Sequence, residues 1–235
     1  MTAYKRVLIK ISGEALAAEK KTGYDFSFVS AVCESVKRCV EMGAEVGIVV
    51  GGGNFWRGVK DGAGKIERVN ADRMGMLATC MNCIAVCDVL RQLGAKARVM
   101  TAVDIMGVGE RYDTRRAIEY LEAGEIVLFA GGSGAPFFST DTAAALRAAE
   151  IHADAILLAK NVDGVYDSDP NVNPAAVKFD RIRYAEVLAR RLAVMDTAAT
   201  ALAMENDLPV AVFALKDPEN ILRVLAGENV GTIVE

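Results

Sequence analysis

With 235 residues, 52 % of them hydrophobic, the chain is long enough to bury a sizeable core without disulfides. A formal net charge of −4 with scattered Lys and Arg argues against a nucleic-acid surface, so an anionic ligand has to be met by local cations and backbone N–H groups. A single histidine excludes His-rich metal sites, and no apolar run approaches the roughly 18 residues of a membrane span.

The first segment, "MTAYKRVLIKIS", has charge inside its apolar stretch and no small-residue cleavage site. It reads as a strand over 6–12 rather than a signal peptide, which predicts a cytoplasmic location. An amphipathic helix over 27–43 stops at Gly43. A strand over 44–50 runs into Gly51, Gly52 and Gly53. A long helix is expected over 71–94, a strand over 96–103 and a short helix over 113–124 capped by Asp113 or Thr114. A strand over 125–131, a helix over 139–151 and a strand over 154–160 follow. Residues 161–180 are rich in Asp, Asn, Pro and Gly and read as a hairpin or excursion loop. A helix over 184–206, broken near Met195, precedes a strand over 209–215, a helix over 217–226 and the closing strand "GTIVE".

Apolar strands separated by helices predict a mainly parallel sheet covered on both faces, a three-layer α/β/α sandwich, with ligands beyond the carboxyl ends of the strands. The glycine-rich stretches fall at those ends, after residues 12, 50 and 130. We expect one domain over 1–235, with an N-terminal lobe of about 1–150 and a C-terminal lobe of about 151–235.

The cysteines at 80, 83 and 87 have the spacing C-x2-C-x3-C, but they fall on one face of a helix that reads as buried almost all round. With no second Cys or His cluster they read as core packing. His152 sits in an exposed connection, with no nucleophile motif beside it. At the end of the first strand, Lys10 can act as a point charge on a phosphoryl group, and Ser12 and Gly13 let backbone N–H groups face it. In "VVGGGNFWRG" three glycines uncover the backbone, a helix opening at about Asn54 would add its positive end, and Arg57 could clamp a phosphate from the side. Trp56 reads as packing. Asp72, near the start of the long helix, either gains from the helix dipole or accepts ribose hydroxyls. No Walker motif is present, and "GGSGAP" lacks dinucleotide spacing.

With these loops in order, "KISGEAL" (10–16), "VVGGGNFWRG" (49–58), "ADRMGMLAT" (71–79), "APFFSTDTAAALRAAEI" (135–151), "VDGVYDSDP" (162–170) and "MDTAATALA" (195–203), the chain resembles the amino acid kinase superfamily and, within it, the bacterial-type uridylate kinases. The resemblance implies Mg²⁺- and ATP-dependent phosphorylation of UMP to UDP on the way to CTP, in a homohexamer inhibited by UTP and activated by GTP. It implies ATP contacts from Lys10, Ile11, Ser12, Gly13, Gly53, Arg57, Lys160, Asn161, Tyr166 and Asp169. UMP contacts are implied for Gly52, Asp72 and the run Ser133, Gly134, Ala135, Pro136, Phe137, Phe138, Ser139 and Thr140. Lys10, Arg57, Asp141 and Asp196 are the implied catalytic residues, with no direct protein ligand for the metal. The chain departs from the family's T-G-N-P at Ser133-Gly134-Ala135-Pro136, where Ala135 lacks an amide. It departs again at "AAEKKTG" (17–23), which is normally glycine-rich and linked to GTP activation. A kinase of a carboxylate or carbamate and a non-catalytic nucleotide store are the rival readings.

Overall fold

The computed structural model describes residues 2–57, 62, 64–170, 172–192 and 194–235. Within them the strands are β1 (Arg6–Ile11), β2 (Glu45–Val50), β3 (Ala97–Thr101), β4 (Glu110–Arg111), β5 (Ile126–Ala130), β6 (Ala155–Lys160), β7 (Arg181–Ile182), β8 (Val210–Ala214) and β9 (Thr232–Val234). The helices are α1 (Gly13–Ala17), α2 (Phe26–Glu41), α3 (Arg68–Gln92), α4 (Thr114–Glu122), α5 (Thr140–Glu150), α6 (Tyr184–Arg190), α7 (Thr197–Glu205) and α8 (Asn220–Leu225).

The strands form one sheet in the order β4-β3-β5-β2-β1-β6-β8-β9-β7. All neighbouring pairs are parallel except β8 with β9. Side chains alternate across a strand, so each face of the sheet builds its own core. Val7, Ile9 and Ile11 of β1 join α1, α2, α3 and α8 on one face, and Leu8 joins α4, α5, α6 and α7 on the other. This is the expected α/β/α sandwich.

The order brings β5, β2, β1 and β6 side by side. Their carboxyl ends therefore meet at one rim, and the glycine loops after β1, β2 and β5 converge there. His152 lies at the opposite end, exposed in the connection from α5 to β6.

Several expectations change. The helix expected over 184–206 is two helices, α6 and α7, separated at the expected break. β4 and β7 were not foreseen, nor was α1, which begins at Gly13. No helix opens at Asn54: Phe55 and Trp56 N–H groups both donate to the Gly52 carbonyl, closing a turn. The long helix starts at Arg68, so Asp72 lies a full turn inside it, where a helix terminus has little reach. The 161–180 segment is hairpin-like, with a bridge between Tyr166 and Lys178 and a 2.9 Å bond from Phe179 N–H to the Val165 carbonyl.

All five cysteines are buried and free, as core packing requires. Burial pushes the Cys33 and Cys39 thiols up to about 12. α3 is not buried all round, however. Met74, Leu77, Met81 and Ile84 point outward, 39–52 % exposed. By length and composition α3 also passes for a membrane span, contrary to the sequence reading, but half of the qualifying window is buried inside the sandwich.

Candidate active site

The register of β1 and β6 places two cations together. Leu8 and Lys10 alternate onto the same face of β1, as Ile156, Leu158 and Lys160 do on β6, and Lys10 pairs with Leu158 across the ladder. α5 crosses that face. Its amino end brings Asp141 Oδ1 to 2.6 Å from Lys10 Nζ. Lys10 is 8 % exposed, and Asp141 Oδ1 is buried with no hydrogen-bond partner beyond that ion pair among the described residues. Burial lowers the Lys160 ammonium below the ordinary lysine value; Asp141 opposes this, Lys10 adds to it and Asp196 opposes it. The Lys160 ammonium donates to the Val194 carbonyl.

Asp196 caps α7, its Oδ1 accepting the Ala199 N–H at 2.9 Å. The same carboxylate accepts the Thr142 hydroxyl at 3.0 Å and the Ser139 hydroxyl. Ser139 in turn caps α5 by accepting the Asp141 N–H at 2.9 Å. One carboxylate thus ties the start of α5 to the start of α7. Its burial raises the pKa, but the Ser139 hydroxyl, the Ala199 N–H, the Thr142 hydroxyl and the Ala198 N–H outweigh this and hold Asp196 below the ordinary aspartate range.

The glycine loop after β2 works through close approach as well as open backbone. A Cβ on Gly13 would lie 2.2 Å from the Gly51 carbonyl oxygen, so β1 and β2 can end this close only through glycine. The Gly51 N–H donates to the Ile11 carbonyl at 2.9 Å. Among the described residues no acceptor takes up the Gly52 or Gly53 N–H. Asn54, expected to open a helix, is instead buried. Its side chain and Asn82 exchange hydrogen bonds at 2.7 and 3.1 Å, and Asn82 Nδ2 also donates to the Gly51 carbonyl at 2.6 Å.

Three clefts open around this rim and the neighbouring hairpin. The first, about 420 Å³, is walled by the glycine loop, by α3 and by the loop after β5. It gathers Gly52, Asp72, Ser133, Phe138, Ser139 and Thr140 as expected. Gly134, Ala135, Pro136 and Phe137 belong to the same loop but stand outside the lining. Gly53 and Arg57, expected on the ATP side, line this cleft too. They also line the second, of about 490 Å³, with Glu14, Lys21 and Asn161. Arg57 forms an ion pair with Glu14 of α1. The third, about 500 Å³, holds Tyr166 and Asp169 in the hairpin, against Arg190 and Arg191. Tyr166 donates to Asp163 at 2.8 Å. Ser12 is the N-cap residue of α1, with no side-chain bond into the helix. The Ile11 side chain is fully buried in the core.

Sequence reasoning missed Trp56, Gly75, Met76, Thr79 and Gly132 in the first cleft. Trp56 does pack, with Nε1 donating to the Ala71 carbonyl at 2.8 Å, but it also forms cleft wall. Asp72, Gly75, Met76 and Thr79 are spaced as one helical face, and that spacing was the available signal. Thr79 accepts the Gly131 N–H at 2.9 Å, pinning the end of β5 to α3.

Convergent glycine loops, a buried lysine near a half-buried one and a carboxylate at a helix amino end are the parts that phosphoryl transfer uses. The amino acid kinase family model matches residues 5–214, and the chain belongs to that family. Among solved structures it is similar to UMP kinase from Bacillus anthracis, with TM-score 0.95 and 40 % identity over 99 % of this chain and 96 % of that one. UMP kinase from Ureaplasma parvum gives TM-score 0.93 and 37 % identity over 98 % of both chains. Uridylate kinase from Archaeoglobus fulgidus gives 0.74 and 25 % over the full length of both.

Proposed function

We propose that this chain transfers the γ-phosphoryl group of ATP to UMP, giving UDP and ADP. The observation that carries the reading is the buried Lys10 ammonium, paired with Asp141, with the half-buried Lys160 ammonium near it at the rim where the glycine loops meet. The likeness to UMP kinases over nearly the whole chain supports the choice of acceptor.

UMP already presents a phosphate oxygen as nucleophile, so a general base has little to add. The enzyme must align two mutually repelling anions and neutralise the charge that moves between them. Lys10 and Lys160 are suited to the transferring group and the leaving oxygen, and Asp141 to holding Lys10 in place. Gly52 and Gly53 offer N–H donors between the first cleft, assigned to UMP, and the second, assigned to the ATP phosphates. Arg57 lines both and bridges donor to acceptor. Tyr166 and Asp169 are assigned to the adenosine end. Asp196 holds the starts of α5 and α7 together and is a positioning residue. The UMP side then falls in the N-terminal lobe of about 1–150 and the hairpin in the C-terminal lobe.

Among the described residues no group of three or more His, Cys, Asp or Glu could hold a metal. Mg²⁺ prefers oxygen ligands and keeps several waters, so it fits here as a cation carried by the ATP phosphates. Asp141, whose Oδ1 is buried beside Lys10, would hold a water of the ion rather than the ion itself, and the ion would supply further neutralisation of phosphate charge. Soluble, cytoplasmic action as a homohexamer is part of the proposal, and the exposed apolar stripe on α3 supports a contact surface between copies of the chain. Inhibition by UTP fits the acceptor cleft, because UTP shares the uracil and ribose of UMP. GTP activation stays in the proposal as a property of the assembly.

An ADP-release assay across UMP, CMP, AMP and GMP, with amino acid and carbamate acceptors beside them, tests the reading. Turnover confined to UMP is expected, and phosphorylation of a carboxylate without UMP turnover would overturn it.

A further inference from the structure

The loop after β5 is held by a carboxylate for which the sequence offered a helix-dipole role or a ribose contact, but no bond to this loop. Asp72 Oδ2 accepts the Phe137 N–H at 2.8 Å. It also accepts Arg68 Nε at 2.8 Å, from one turn earlier on α3. The Arg68 guanidinium lies over the Phe137 ring, 5.3 Å from its centroid. Phe137 has a φ of +72°, a left-handed conformation that costs an aromatic residue about 1 kcal/mol or more and persists only where the surroundings impose it. The residue is 64 % exposed, so core packing does not impose it. The bond to Asp72 and the Arg68 face do. Among the described residues nothing bonds Asp72 Oδ1, and Asp72 lines the first cleft.

We propose that Arg68, Asp72 and Phe137 form a latch that sets the shape of the 132–138 loop for the acceptor, with Arg68 as a positioning residue. Arg68 fixes Oδ2 toward the loop and leaves Oδ1 toward the cleft. The loop enters the latch through the turn from Gly131, whose carbonyl accepts the Gly134 N–H at 3.1 Å, and the Ser133 hydroxyl, which accepts the Ala135 N–H at 3.2 Å, and it leaves at the Ser139 cap, so the latch at Phe137 fixes the stretch between them. This deepens the reading of the first cleft as the acceptor site.

The test compares the parent with Arg68→Met, which keeps the aliphatic stem, and with Arg68→Lys. Arg68 is exposed, so both variants should fold, and their melting temperatures check this. Hydrogen exchange of the ligand-free protein reads the latch without any acceptor. The Phe137 amide should exchange about tenfold faster in Arg68→Met, with distant peptides unchanged, the loss of one charge-assisted bond. UMP affinity, read from the fluorescence of the sole tryptophan, Trp56 in the cleft wall, should weaken about tenfold, KM for UMP rising equally and KM for ATP not at all. Arg68→Lys should recover part of both, since a lysine pairs with Asp72 without the planar stack. Unchanged loop exchange, or equal loss for ATP and UMP, would overturn the latch. Failure of the parent to phosphorylate UMP would remove the proposed activity while the exchange result still decides the latch.

Discussion

At the level of single residues the proposed reaction separates groups that would carry charge to it from groups that hold other groups. Lys10 is proposed as one of the first kind. Lys10→Met keeps the volume of the buried stem and removes the charge, and Asp141 would be left buried without its partner. A fall in kcat of about 10²–10³ with a smaller change in KM for UMP is expected, the usual cost of deleting one group that stabilises moving charge. Steady-state kinetics read it; a kcat within threefold of the parent would leave Lys10 a structural residue. Asp196 belongs to the second kind. Its hydrogen-bond donors favour the ionised form, so its folded pKa is lowered. The stability it contributes is present above the unfolded value of about 4 and is lost as the pH falls through the lower folded value. Asn at this position can still cap α7 but gives up one acceptor oxygen. Asp196→Asn should therefore cost about 1 kcal/mol at pH 7, and the difference from the parent should shrink below about pH 4. Urea titrations at the two pH values read it, and a pH-independent gap would contradict the assignment.

At the level of elements, the glycines of the rim are of two kinds and their substitutions should separate. Gly13→Ala puts a methyl 2.2 Å from the Gly51 carbonyl and 2.7 Å from Asn54 Oδ1, so the ends of β1 and β2 must part. A loss of about 3 kcal/mol or more is expected, above ordinary overpacking because backbone must move. Gly132 has a φ of +60° and nothing within 4 Å of an added methyl. Gly132→Ala should cost only about 1 kcal/mol, the price of a left-handed alanine. Thermal melts of the two variants in parallel check the ranking. The strands were legible within a residue or two because parallel strands buried on both faces leave unbroken apolar runs, as in "RVLIKI" and "EVGIVV". β4 and β7, of two residues each, have no period to detect. α1 was missed because its five residues follow directly from a strand and are held by burial under the neighbouring glycine loop rather than by an amphipathic pattern. Over the described residues 54–57 the expected helix is replaced by a turn closed on the Gly52 carbonyl, and the Asn54 side chain goes to Asn82, 28 residues away, a contact no local pattern announces; residues 58–61 lie outside the described residues. The glycine loops of the site could be read locally. The α3 wall of the cleft shows only as the three- and four-residue spacing of Asp72, Gly75, Met76 and Thr79, which lie on the face that continues into the buried Cys80 and Cys83, so cleft wall and core share one pattern.

For the whole molecule, α3 is the element with two loyalties. Cys80, Cys83, Cys87 and Leu90 bury one face against the sheet. Met74, Leu77, Met81 and Ile84 recur at three- and four-residue spacing on the other, a stripe about 15 Å long at the rise of an α-helix. Hydropathy alone made the helix read as buried all round, because apolar residues facing a subunit look the same in sequence as those facing a core. An exposed stripe of this length fits the proposed assembly of identical chains. Leu77 is 52 % exposed, so Leu77→Lys should leave the monomer fold intact while placing a charge in the middle of the contact. Light scattering on the eluting protein should show the parent as an oligomer and the variant as a smaller species, and the parent's melting temperature alone should rise with concentration. Because α3 also carries Asp72 and the wall of the first cleft, loss of assembly should raise KM for UMP more than KM for ATP. A variant with the parent's mass would remove α3 from the interface, and a parent that elutes as a monomer would remove the assembly itself.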